Sequence, residues 1–375
     1  MVKISVIIPV YNCEDFIEES IRSILNQTFD DIEIIAIDDG SKDNTLSILN
    51  DLANDDSRLL VYSQENQGSS VARNRAMSMA KGDYIYFFDA DDYLVEDGLE
   101  KAYSNAVNND SDIVLFKYDQ YMDDKFLEHI DLDIEKEFPG EDFNNFTFNV
   151  YDYKKRAFKG PFAPWYKFYK RAFLESQDYF EFPPNLNHED VPFHVKTILK
   201  ASKISFVPEY LYHYRTDNPN SISNTRQRKY KDIFSIIQIV EDFLKENGLF
   251  DEFKKEFEYF VINRVTFEIR DRPEEYFELA KEKLAPIDLD NDLLAKKVRF
   301  KAESIVNSSS LEIYNFKMEI YDLERKLDKL SKKNKKLEKE NKKLKKELKK
   351  VQKKNEEILD SRSWRITKPL RKLNK

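Results

Sequence analysis

Three short apolar runs, each emptying into polar residues and the first two followed by a helical pattern, constrain this chain more than any other feature. KISVIIPVYN is β-branched and closes on Tyr11-Asn12; DIEIIAIDDGS closes on Asp38-Asp39-Gly40; DYIYFFDADD closes on Asp89, Asp91 and Asp92. Short continuous apolar runs of this kind read as buried strands. Between the first two, Phe16, Ile17, Ile21, Ile24 and Leu25 are spaced for one helix face. DNTLSILNDLA forms the next helix, with Asp43 or Asn44 as its N-cap. Residues 59–62 make a further short strand, and SSVARNRAMSMAKG a helix closing on Gly82 as its C′ residue. The alternation predicts an α/β fold, a mostly parallel sheet with helices on both faces. In such sheets ligands bind beyond the carboxyl ends of the strands, where these polar clusters converge.

The acidic exit of the last run carries the most chemistry. Three carboxylates within four residues repel one another unless a cation sits among them. Hard oxygen ligands suit Mg²⁺ or Mn²⁺, which commonly bridge to a substrate phosphate. A solvated acidic turn is the plain alternative.

Beyond residue 110 the pattern loosens. SDIVLFKYDQY predicts a strand, 119–155 a variable acidic and aromatic insertion, and a helix starts near Val191. KISFVPEYLYHYRTDNPNSIS reads as a strand running into a polar loop, and 229–305 as amphipathic helices. The expected organisation is a catalytic domain over 1–225, a helical accessory region over 226–308, a coiled coil over 309–360 and a basic amphipathic tail over 361–375.

Charge divides along the chain. Residues 325–375 hold 22 Lys+Arg against 7 Asp+Glu, whereas the first 324 residues hold 39 against 63. The single cysteine, Cys13, excludes an internal disulfide and favours a reducing compartment. It lacks a basic activator nearby in sequence and reads as a small loop residue. No leader-like segment opens the sequence and no run approaches the roughly 18 apolar residues of a spanning helix; the expectation is a cytoplasmic protein, peripheral where it meets a membrane.

SVIIPVYN (5–12), IDDGSKDNT (37–45), NQGSSVARN (66–74), FFDADD (87–92) and NHED (187–190), in this order and spacing, resemble the inverting family-2 glycosyltransferases of the Rossmann-like GT-A fold. The resemblance covers about residues 1–225. No G-x-G-x-R signature of sugar-nucleotide synthesis is present. The resemblance implies transfer of a sugar from a nucleotide-sugar donor, expected to be UDP-linked, to a glycan or lipid-linked glycan acceptor, with Mn²⁺ or Mg²⁺ as cofactor. It implies that Pro9, Tyr11 and Asn12 lie against the nucleotide base and that Asp39 bonds the pyrimidine ring N–H, with Asp38 supporting the loop. Gly68 would let the backbone approach the donor, and Arg73 would meet the diphosphate or else pair with an acid. Asn74 would hold its helix against the Asp-rich loop. Asp91 would be the metal ligand, Asp89 a ribose or metal contact, and Asp92 a support behind them.

By the same resemblance Asp190 is the base that takes the acceptor proton and Glu189 touches sugar hydroxyls; Asp190 as a mere helix cap is the alternative. Trp165, Lys167 and His188 are candidate acceptor contacts, with Trp165 and Lys167 equally readable as core. His213 and Arg215 lead into a loop ending Ser221-Ile222-Ser223 that the family uses as a lid. A metal set of His188, Asp190 and His194 fails because i and i+6 do not share a helix face.

From Ile313 to Ile358 apolar residues recur in alternating steps of three and four, interrupted only by Asn334, Asn341 and Asn355 at one heptad position. That pattern predicts a coiled coil and a parallel homodimer; sixteen Lys/Arg against four acids in 325–354 argue for a lone charged helix. The closing SRSWRITKPLRKLNK, with Trp364, Ile366 and Leu370 among cations, resembles an interfacial anchor for an anionic membrane. The stretch lacks the interleaved aromatics of a nucleic-acid binder. A catalytically inactive glycan-binding scaffold is the competing reading.

Overall fold

The computed structural model describes every residue except 1, 123–124, 179, 217, 219–229, 268, 270–271, 362–364 and 366–375. The expected lid residues Ser221–Ser223 and the tail residues Trp364, Ile366 and Leu370 therefore lie outside the described residues.

The parallel block forms as the patterning demands. Strand β1 (Ile4–Val10) is followed by α1 (Ile17–Leu25), β2 (Ile32–Asp38), α2 (Thr45–Asp55), β3 (Leu59–Ser63), α3 (Ser69–Met79) and β4 (Tyr84–Phe87). Their strands lie in the order β3-β2-β1-β4, all parallel. The register runs Ile4↔Ile32 to Val10↔Asp38, so the Tyr11-Asn12 and Asp38-Asp39 exits open at the same edge. All seven residues of β2 are buried, the signature of a strand covered on both faces.

The rest of the sheet comes from later in the chain. It uses β5 (Tyr93–Leu94), α4 (Gly98–Asn109), β6 (Ile113–Met122), β7 (Lys125–Ile130), α5 (Ile134–Glu137), β8 (Lys167–Lys170), α6 (Arg171–Glu175), α7 (Asp190–Lys200) and β9 (Ile204–Arg215). The order continues β4-β8-β6-β9-β5, with β8 antiparallel to both neighbours, β9 parallel to β6, and β7 hairpinned onto β6. The stretch 119–155, read as a variable insertion, contains β7, α5 and a bridge from Phe148 to Ile204.

The helices α8 (Asp232–Glu246), α9 (Phe250–Phe267), α10 (Glu274–Leu284) and α11 (Lys296–Val306) follow, then α12 (Leu311–Asp360), 50 residues without a break. Two compact units result, Met1–Ala302 and Glu303–Lys375. Helices α8, α9 and α10 thus belong to the same unit as the sheet. No described helix is long and apolar enough to cross a membrane.

One expectation fails in an instructive way. Helix α3 ends at Met79 with an extended Ala80 after it, and Gly82 has no left-handed φ. Gly82 is required for space instead: a Cβ there would lie 2.6 Å from the Ser5 nitrogen. The close approach serves a buried network. Ser5 Oγ donates to Glu33 Oε1 (2.6 Å), Lys81 N donates to the same oxygen (2.7 Å), and Gly82 N donates to Ser5 Oγ (2.8 Å). Overpacking of this kind costs about 1–3 kcal/mol. Gly82→Ala is expected to lower the thermal midpoint, read by calorimetry, by several degrees; an unchanged midpoint would show that the strand edge yields freely.

Candidate active site

The polar exits of β1 and β2 are stitched together before any ligand arrives. Asn12 sits at φ 46°; its N–H donates to Ser41 Oγ (3.0 Å) and its Oδ1 accepts from Lys42 N (2.7 Å). Glu14 Oε2 accepts from Asn44 N (2.9 Å) and Nδ2 (2.7 Å), and Thr45 Oγ1 accepts from Cys13 N (2.9 Å). Pro9 lies within β1 opposite Ile37. Tyr11 projects from this frame, 48% exposed. Cys13 is buried, and desolvation drives its thiol pKa far up, so it is inert.

Asp38 and Asp39 divide the labour. Asp38 is buried and accepts from Ser41 N (3.2 Å) and Ser63 Oγ (2.9 Å). Asp39, also buried, accepts from Gln64 Nε2 (2.8 Å), Gln67 N (2.9 Å) and Gly68 N (2.7 Å). Gly68 holds φ 89° at the N-cap of α3 with open space where a Cβ would be, so its backbone, rather than crowding, selects glycine.

Four residues into α3, Arg73 enters the site as a buried cation. One guanidinium nitrogen donates to Asp89 Oδ1 at 2.8 Å, the other to Glu189 Oε1 at 2.9 Å. Burial opposes its charge, but Asp89 and Glu189 outweigh it and hold its pKa above the ordinary value. Ser69 Oγ donates to the same Glu189 oxygen at 2.6 Å. The guanidinium is thus committed to two carboxylates 100 residues apart rather than standing open to solvent. Asn74 does not hold α3 to the Asp-rich loop; it exchanges two hydrogen bonds with the Phe182 backbone, 2.8 and 3.0 Å.

The loop after β4 presents its acids in three different ways. Asp92 is buried and accepts from Arg215 N (2.7 Å) and from the Tyr212 hydroxyl. Burial, then Asp91 and Asp89, push its pKa well up. Asp91 Oδ2 accepts from Asn218 Nδ2 (2.7 Å), and burial together with Asp89 raises its pKa. Asp89 is half-buried against Arg73. Asp89 Oδ2 and Asp91 Oδ1 receive no side-chain hydrogen bond among the described residues. No cage of three or more His, Cys, Asp or Glu side chains exists among those residues. Two adjacent carboxylates with spare oxygens and mutual repulsion fit a divalent cation that completes its shell with phosphate and water.

Helix α7 opens the opposite wall. His188, at φ 61° and exposed, turns the chain so that Glu189 and Asp190 follow in helical geometry. Glu189 is taken by Ser69 and Arg73. The Asp190 carboxylate receives no hydrogen bond among the described residues, so it does not serve as a cap. Burial and the Glu189 charge raise its pKa, while Arg264, His188 and Arg73 act the other way. Arg264 comes from α9 and also lies over the Phe162 ring, 4.2 Å from its centroid.

Three expected contact residues lie inside the protein. Trp165 is 6% exposed, stacked between Tyr212 (4.4 Å) and Tyr214 (5.5 Å) with Tyr118 edge-on. Lys167 is fully buried, donating to the carbonyls of Phe162 (3.1 Å) and Ala163 with its ammonium 3.8 Å from the Tyr166 ring centre; burial drives its pKa well down. Arg215 braces the Asp-rich loop from behind: its Nε donates to the Asp91 carbonyl (3.0 Å) and another nitrogen to Glu19 (2.6 Å). His213 packs on Tyr93 and faces Asp119 at 3.6 Å; burial lowers its pKa against the pull of Asp119.

Sequence reading missed Ser69, Asn218, Tyr212 and Arg264. Each is an ordinary residue whose partner lies 74 to 127 positions away, as for Asn218 with Asp91, so no local pattern marks it.

Residues 5–175 match the model of glycosyl transferase family 2. EpsH of Bacillus subtilis (strain 168), whose name carries only a provisional glycosyltransferase assignment, is 30% identical over 261 residues, 69% of this chain and 74% of that protein. The cholesterol galactosyltransferase of Borreliella burgdorferi is 32% identical over 276 residues, again 69% and 74% of the two chains. Among solved structures, residues 1–349 of Staphylococcus aureus TarS in complex with UDP-GlcNAc superpose with a TM-score of 0.63 at 22% identity, covering 86% of this chain and 92% of that one. The strand order, the acidic strand exits and these likenesses agree, and the chain belongs to glycosyltransferase family 2, on a GT-A fold.

Proposed function

We propose that the protein transfers a hexosyl or N-acetylhexosaminyl group, with inversion, from a UDP-linked donor to a hydroxyl of a surface glycan or lipid-linked glycan. The observation that carries this reading is the pair at the start of α7. Glu189 is tied to Ser69 and Arg73, while Asp190 beside it has no hydrogen bond among the described residues and a raised proton affinity. A half-buried carboxylate with no hydrogen bond among the described residues and a raised proton affinity suits a general base. Galactosyl transfer in the Borreliella relative's name and UDP-GlcNAc in the TarS complex support the donor class.

In this reading Tyr11 stacks on the base. Asp39, with three of its roughly four acceptor sites taken, offers the remaining one to the ring N–H. Asp89 and Asp91 would hold Mg²⁺ or Mn²⁺, which would supply positive charge against the departing diphosphate. Asp190 takes the proton of the acceptor hydroxyl as its oxygen forms a bond to sugar C1 and the C1–phosphate bond breaks on the opposite face. Glu189, fixed by Arg73, touches sugar hydroxyls in this reading. The basic stretch 325–375 supports a peripheral position on an anionic membrane surface, where a lipid-linked acceptor is presented.

Release of nucleoside diphosphate from a panel of nucleotide sugars tests the proposal. One UDP-sugar is expected to turn over with Mn²⁺ or Mg²⁺, with loss in EDTA and in Asp91→Asn; no release from any donor would leave an inactive glycan binder. Asp190→Asn is expected to lower turnover by about 10²–10⁴-fold, the usual worth of a positioned base, with UDP binding by calorimetry unchanged. The pH profile carries a sign. The base works ionised and its pKa is raised, so turnover falls with decreasing pH through a limb shifted upward from the ordinary aspartate value. Arg264 lowers that pKa; Arg264→Met is expected to move the limb to higher pH, and an unmoved limb would detach Arg264 from the base.

A further inference from the structure

The seam of α12 is exposed along its whole length. At heptad position a lie Ile313, Ile320, Leu327, Asn334, Asn341, Leu348 and Asn355; at d lie Phe316, Leu323, Leu330, Leu337, Leu344, Val351 and Ile358. Phe316, Leu323, Leu327, Leu330, Leu344 and Val351 are each at least 60% exposed. Tyr314 and Met318, on the opposite side of the helix, are buried. Ser310 caps the amino end, accepting from Ile313 N, and no Gly or Pro interrupts the helix.

The charges that seemed to forbid pairing are sorted by face. Of the sixteen cations in 325–354, twelve occupy the outer b, c and f positions. Three of the four acids, Glu338, Glu340 and Glu347, sit instead at e and g beside the seam. In a parallel register, g of one helix meets e of the next heptad on its partner. That rule opposes Glu312 to Lys317, Lys333 to Glu338 and Glu340 to Lys345. Only Glu319 and Glu324 meet as like charges; Ser331, Gln352 and Leu359 make the other three pairs neutral. Lys333, Glu338, Glu340 and Lys345 form no ion pair within the chain among the described residues. The outer lysines of two helices are separated by the rod's width, more than the Debye length of about 8 Å at physiological salt.

We infer that the partner of this seam is a second copy of the chain, in a parallel, in-register, two-stranded coiled coil. Parallel register pairs each a-position Asn with its own copy, where the amides bond one another; an antiparallel arrangement would set them against d-position Leu and Val, buried without partners. Leu at four d positions and Asn at a favour two strands over three.

Sedimentation equilibrium of the full chain tests this. The expected mass is twice the 44.7 kDa of the chain. Leu330→Lys with Leu344→Lys, which keeps helix propensity, is expected to return the monomer mass. Val351→Cys, the only new thiol beside buried Cys13, is expected to form a covalent dimer under native oxidation, because only parallel register brings residue 351 to its own copy. A monomeric wild type, a trimer, a dimer that survives the double substitution, or a dimer in which Val351→Cys does not cross-link would each overturn the inference. None of these readouts depends on the sugar chemistry.

Discussion

Arg73 is the charge on which the site is built. A cation removed from water must be paired, and this one is paired twice, to Asp89 at 2.8 Å and to Glu189 at 2.9 Å. One partner belongs to the loop that leaves the parallel sheet and the other to the turn that starts α7. Taking out either would leave a buried guanidinium half compensated, a penalty of several kcal/mol. The bridge therefore fixes the distance between the Asp-rich loop and the start of α7, the two sides that face the departing diphosphate and the incoming hydroxyl in the proposed reaction. It also leaves the site short of positive charge. Asp91 and Asp190 form no ion pair among the described residues, and despite Arg215 and Arg264 nearby both have raised proton affinities. That deficit is what a divalent ion would answer.

A second layer makes the Asp-rich loop rigid. Asp92 points inward to Tyr212 and to the Arg215 backbone, while Arg215 returns to the Asp91 carbonyl. Strand β9 thus grips the loop from both sides of one residue. The stacked Trp165, Tyr212 and Tyr214 back that strand with a flat aromatic wall. Residues expected to touch acceptor turn out to set the shape of the surface on which others act.

Much of this was legible from local pattern. Strands with both faces covered are apolar along most of their length, β-branched in β1 and β2 and aromatic in β4, so they declare themselves, and their shared direction puts Asn12, Asp39 and Asp89 at one edge. Helix α7 and the long α12 follow from periodicity. What stayed hidden depends on distance along the chain. Strand β8 inserts antiparallel between β4 and β6 with only four residues, too few to show a period. The burial of Trp165 and Lys167 cannot be told from an aromatic platform by composition. Gly82 looked like a helix terminator because glycine commonly is one; its real constraint is a neighbouring strand 77 positions earlier. Arg73 was open between phosphate and carboxylate because a guanidinium serves both alike.

The sorting of lysines along α12 has a consequence beyond pairing. Sixteen cations against four acids over residues 325–354 leave one net positive charge per roughly 3.8 Å of axis at 1.5 Å rise per residue. Phosphates along one strand of DNA are spaced about 3.4 Å apart. The helix is thus a polyelectrolyte of nearly the linear charge density of one DNA strand, half that of the duplex, with the sign reversed. It carries its own condensed atmosphere of small anions, and any anionic surface that replaces them draws on the entropy of their release.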